Sequence, residues 1–106
     1  MIENNLDTYL QDTQSGLALL IDVREPNEYE IFHVPDAILW PLSEIEELSE
    51  SELVEKLKAF KGKHLYVHCR SGTRALYAIQ KLKPFFDPIT RLPQSPEQIC
   101  LHIQNH

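Results

Sequence analysis

The chain has 106 residues, 42% apolar and 25% charged, with a formal net charge of −6. Residues 1–106 are therefore expected to form one soluble globular domain whose core needs no disulfide or metal staple. The acidic balance argues against nonspecific nucleic-acid binding, and no apolar run approaches the roughly 18–20 residues of a membrane span.

The first seven residues, Met1 to Asp7, hold neither a basic cluster nor an apolar stretch, so no secretory leader is expected. Leu6, Tyr9 and Leu10 share one face of a helix over about 3–12, and Ser15-Gly16 breaks it. Leu17 to Val23 is a nearly continuous apolar run, the pattern of a strand covered on both faces in a parallel sheet. Glu25 to Glu30 suits a short helix with Pro26 in its first turn. Ala37 to Trp40 reads as a second strand, stopped by Pro41. Ser43 and Glu46 have capping-box spacing and predict a helix start near Ser43. Ser51 through Phe60 carries Leu53, Val54, Leu57 and Phe60 at helical spacing, closed by Gly62. The acidic run from Glu44 to Glu55 reads as a solvated helical face.

His64 to His68 is a third strand, Ala75 to Leu82 a helix, and Ile89 to Leu92 a fourth strand between Pro88 and Pro93. Ser95 caps a last helix that opens with Pro96 and runs through Gln104. Strands alternating with helices predict an α/β fold, a small and mostly parallel sheet with helices on both faces.

The chemistry concentrates between the third strand and its helix, at Cys69-Arg70-Ser71-Gly72-Thr73-Arg74. A cysteine there stands at the mouth of a loop whose N–H groups can converge on an anion, beside a helix N-terminus. Helix N-termini and nearby arginines are the settings that turn a thiol into a nucleophilic thiolate. Free cysteine is often simply buried. Two arginines, a glycine and two hydroxyls in the next five residues point instead to Cys69 as a nucleophile. Arg70, Ser71, Gly72, Thr73 and Arg74 would then bind the substrate. Loop length separates two chemistries. A cysteine phosphatase carries its arginine six positions after the nucleophile, whereas Arg74 is five after Cys69 and the sixth is Ala75. The shorter ring suits one extra sulfur atom on the cysteine better than a phosphoryl group.

Leu19 to Tyr29 (LLIDVREPNEY), followed by His33-Val34-Pro35-Asp36-Ala37-Ile38, resembles the first block of the rhodanese-like, or thiosulfate sulfurtransferase, family. The Cys69–Arg74 loop resembles that family's active-site loop, at the expected distance downstream. The resemblance covers roughly residues 17–83. Phe32 and Asp36 stand where the family has glycines, and both are expected to sit in a turn that favours glycine. Leu92 to Glu97 departs from the family's Gly-Gly-Ile-x-x-Trp stretch.

The resemblance implies a sulfurtransferase that needs no cofactor. Cys69 would take sulfane sulfur from a small anionic donor such as thiosulfate, becoming a persulfide. It would pass that sulfur to cyanide or a thiol, with ping-pong kinetics. The alternative is a non-catalytic rhodanese-like interaction or regulatory module. Asp22 and Arg24, at the end of the first strand, are possible supporting residues. Asp22 either orients a loop arginine or joins Arg24 in satisfying nearby backbone groups.

No His/Cys spacing suits a metal. His33 reads as a turn-stabilising residue and Cys100 as core. Tyr77 and Trp40 either rim the site or pack inside. Two cysteines without a disulfide framework fit a reducing, cytoplasmic setting. Oligomeric state has no signature in this sequence.

Overall fold

Four short strands share one all-parallel sheet in the order β2-β1-β3-β4: β1 (Ala18–Asp22), β2 (Ile38–Leu39), β3 (His64–His68) and β4 (Ile89–Leu92). The structure, a computed structural model, describes residues 5–105. Parallel neighbours need crossover connections, and helices supply them. α1 (Asn5–Gln14) precedes β1, and α2 (Pro26–Ile31) joins β1 to β2. α3 (Leu42–Glu47) and α4 (Glu50–Leu57) lead to β3, α5 (Thr73–Leu82) joins β3 to β4, and α6 (Pro96–Gln104) follows. The α/β architecture read from the sequence is the one observed.

Successive strand residues point to opposite faces, so each apolar strand feeds two cores. Ile21, Leu65, Val67 and Ile89 pack with Trp40, Ile45, Leu53 and Leu82 on one face. Leu20, Tyr66 and Leu92 pack with Leu6, Tyr9 and Ile99 on the other. The unbroken apolar run of β1 follows from this two-sided burial.

Several element ends differ from the sequence reading. Of the first helix, residues 3 and 4 lie outside the described residues. The Ser43–Glu46 capping box does not form. α3 begins at Leu42 behind Pro41 without a side-chain cap, and the Ser43 hydroxyl donates to the Glu25 carboxylate at 3.0 Å. The box that forms is Ser49 with Glu52, which opens α4 at Glu50. Its continuation, Lys58–Phe60, tightens into a 3₁₀ turn. Asp36 adopts a left-handed φ of 71°, as its glycine-like position predicts. Phe32 does not, because at φ −163° it is extended backbone open to any residue.

The strand order places the site. β1 continues outward to β2, whereas β3 lies on the other side of β1, so their carboxyl ends flank a topological switch point. Asp22 pairs in register with His68 there, and Cys69 follows at once.

Candidate active site

Cys69 leaves β3 as the loop turns toward α5. Its residue is 1% exposed, and its Sγ receives two backbone N–H groups, from Gly72 at 3.0 Å and Ala75 at 3.4 Å. Gly72 makes this possible. It sits at the N-cap of α5 with φ 96°, and a Cβ there would lie 3.0 Å from Arg91 Nη1 and 3.3 Å from Pro93 Cα. Only glycine fits both the dihedral and the space. The positive end of the α5 dipole adds to these donors, so the loop is a cradle for negative charge at or just beyond the sulfur.

The two loop arginines have different fates. Arg70 is exposed, and among the described residues it makes no hydrogen bond or ion pair. Arg74 turns away from the loop. Its guanidinium grips the Glu28 carboxylate through two bonds, 2.6 Å and 2.9 Å, tying α5 to α2. Arg74 holds the Glu28 carboxyl down to about 2, with help from the Glu25 N–H, which donates to it at 3.1 Å. The same pairing raises the Arg74 pKa. Sequence reasoning missed Glu28. Its placement three residues after Glu25, at the start of a Pro-led helix, was the available signal.

Asp22 pairs with Arg24 rather than with a loop arginine. Arg24 donates to both carboxylate oxygens, at 2.9–3.2 Å, and reaches Phe32 O at 2.6 Å. Both residues are buried, as is His68, whose Nε2 lies 3.7 Å from Asp22 Oδ2 without a hydrogen-bond partner. Burial lowers the His68 pKa, against the opposing pull of Asp22, and favours a neutral ring. The exposed Ser71 and Thr73 complete the loop.

A cleft of about 550 Å³ opens beside the loop, lined by Arg24, Ile31, Phe32, Arg70 and the first turn of α6. A separate, more apolar hollow of about 380 Å³ lies between α1, β1 and α6, and none of residues 69–74 lines it. His33 stabilises its turn, with Nδ1 2.7 Å from Tyr29 O and its ring stacked on Tyr29 at 3.7 Å. Trp40 is core, and Tyr77 is exposed on α5. Cys100 is half-buried, and burial followed by Glu97 pushes its thiol pKa up. Among the described residues no cluster of three His, Cys, Asp or Glu could hold a metal, and no helix is long and apolar enough to cross a membrane.

A family model described as a rhodanese-like domain matches residues 5–97. The chain belongs to the rhodanese-like family. An uncharacterized 16.5 kDa protein of Synechococcus elongatus is 45% identical over 64 residues, 59% of this chain and 41% of that one. The adenylyltransferase and sulfurtransferase MOCS3 of Drosophila virilis is 37% identical over 92 residues, 85% of this chain but 19% of its own. This rhodanese-like chain thus spans less than half the length of these curated relatives. Human single-domain sulfurtransferase TSTD1 shares the fold, with a TM-score of 0.73 at 23% identity, covering 91% of this chain and 92% of that one.

Proposed function

We propose that this chain is a sulfurtransferase of the rhodanese type, with Cys69 as its nucleophile. The observation that carries the reading is the recessed Cys69 sulfur facing the Gly72 and Ala75 N–H groups at the start of α5. In the first step the Cys69 thiolate attacks the outer sulfur of thiosulfate, whose S–S bond breaks and releases sulfite. In the second, an acceptor attacks the outer sulfur of the Cys69 persulfide and leaves Cys69 as thiolate. The outer sulfur carries negative charge, which the loop N–H groups and the helix end stabilise.

Arg70, the loop cation without a partner among the described residues, draws in the anionic donor. Arg74 serves as a brace through Glu28, and Asp22 with Arg24 supports the wall of the cleft. Ser71 and Thr73, exposed on the loop, offer hydroxyl donors to the bound anion. With Arg74 turned to Glu28, the loop lacks a closing arginine that could fork onto a phosphate. A cytoplasmic setting, where thiols stay reduced, suits the need for a free Cys69.

Thiosulfate-to-cyanide transfer tests the assignment. Cys69→Ser should abolish it and Cys100→Ser should leave it near the parental rate. Equal losses in the two variants, or rapid turnover of an aryl phosphate by the parent, would overturn the reading.

A further inference from the structure

α2 has no fully buried residue, and half-buried Tyr29 is its one side chain packed against the core; polar contacts supply the rest of its anchoring. Arg74 grips Glu28 from α5, and Arg24, itself locked on Asp22, donates to Phe32 O just past the helix end. His33 stacks on Tyr29, whose hydroxyl donates to Ala37 O at 2.6 Å. The segment held this way displays Ile31, 85% exposed, and Phe32, 40% exposed. Both line the cleft that Arg70 lines, one residue from Cys69. A single exposed apolar side chain needs no explanation. Two in a row, on a clamped segment lining the cleft that Arg70 shares, form a surface already ordered for a partner, which lowers the cost of binding.

We propose that Ile31 and Phe32 are a docking lip for the sulfur acceptor, a cysteine-bearing polypeptide segment with an apolar side chain beside its thiol and a carboxylate within reach of Arg70. The inference rests on the sulfur-transfer reading above. Cyanide and small hydrophilic thiols have no apolar surface to lay on the lip. The recessed Cys69 sulfur admits a thiol carried on an extended segment rather than on a flat face. Arg70 is the cleft cation left without a partner among the described residues, and it offers the acceptor's carboxylate a place, while Glu97 on the first turn of α6 lines the same cleft and disfavours a second carboxylate. The acceptor thiolate attacks the outer sulfur of the Cys69 persulfide. The bond between the two sulfurs breaks, its electron pair stays on Cys69 Sγ, and a new S–S bond forms on the acceptor. The acceptor's thiol proton goes to solvent, and the sulfur moves without change of oxidation level, so no oxidant or reductant is required.

The test uses the full chain loaded from thiosulfate, freed of sulfite, and three blocked pentapeptides with one cysteine each. The first has Leu and Glu flanking the cysteine, the second replaces Leu with Ser, and the third replaces Glu with Gln. Covering the lip with a leucine is worth about tenfold in transfer efficiency, so the first peptide should outpace the second by that factor. Ile31→Ser and Phe32→Ser should erase this difference while thiosulfate-to-cyanide transfer and the melting temperature stay parental. The Gln peptide should lose rate with the parent but not with Arg70→Ala. A persulfide that passes to cyanide yet reacts equally with the Leu and Ser peptides overturns the lip alone. Failure of the parent to form any persulfide overturns the sulfur-transfer reading instead. A concentration-dependent dimer seen by sedimentation and lost in Ile31→Ser would assign the lip to a second copy and overturn the peptide acceptor.

Discussion

Gly72→Ala probes the sulfur cradle most closely, because one added methyl touches both its backbone and its neighbours. Gly72 has φ 96°, and a left-handed conformation costs a non-glycine residue about 1–2 kcal/mol. Reduced freedom of the unfolded chain returns about 0.4–1 kcal/mol. The new Cβ also meets Arg91 Nη1 at 3.0 Å and Pro93 Cα at 3.3 Å, so something must shift. A net loss near 1 kcal/mol lowers the melting temperature of a domain this size by about 4–8 °C. The shift also misdirects the Gly72 N–H that meets Cys69 Sγ at 3.0 Å. A hydrogen bond to a charged group contributes about 1.5–3 kcal/mol. Its loss predicts a ten- to hundredfold fall in kcat/KM for thiosulfate, on a scale of about 1.36 kcal/mol per tenfold. Gly62→Ala is the control, since Gly62 has φ 86° but nothing within 4 Å of its Cβ position. It should lose stability without losing turnover. A Gly72→Ala enzyme that melts early yet keeps parental kcat/KM would refute the cradle.

Arg70→Ala should raise the KM for thiosulfate about tenfold or more with no change in melting temperature, and added salt should mimic it in the parent; an unchanged KM at low ionic strength contradicts the donor-binding role. Arg74→Ala should mainly destabilise, by roughly 1 kcal/mol for a partly exposed pair, which thermal melts would show. The Glu28 carboxyl is held at about 2 in the fold by the Arg74 guanidinium, against an ordinary value of 4.5. Its contribution is therefore present above pH 4.5 and lost as pH falls toward 2. Glu28→Gln should flatten the melting temperature over that window. His68 has a lowered pKa, so the unfolded chain takes its proton more readily, and stability should begin to fall as pH drops through about 6.5. His68→Leu should remove that upper part of the acid dependence; a parental profile in the variant would contradict it.

Strands were legible wherever burial on two faces leaves an unbroken apolar run, as in β1 and β3. The Cys69 loop was legible because glycine, arginines and hydroxyls cluster after a strand in one short stretch. Ser43 misled because a capping triplet records only spacing, while the Ser43 hydroxyl is taken by Glu25, a partner 18 positions away. The two loop arginines look alike in sequence. Their contacts divide only when α2 folds beside α5 and presents Glu28, 46 residues distant, to Arg74. Asp22 likewise had two open partners, and its choice of Arg24 depends on how the chain turns after β1. The lip of Ile31 and Phe32 was invisible for a similar reason. An apolar pair carries no sign of exposure in the sequence, and only the fold shows that α2 turns Tyr29, rather than Ile31, toward the core.

Mass spectrometry of the protein after thiosulfate treatment tests the central claim most directly. The account predicts one added sulfur atom, on the peptide carrying Cys69, lost on addition of cyanide and absent from Cys69→Ser. Added sulfur on Cys100 instead, or an unmodified Cys69 peptide after exposure to excess thiosulfate, would contradict it.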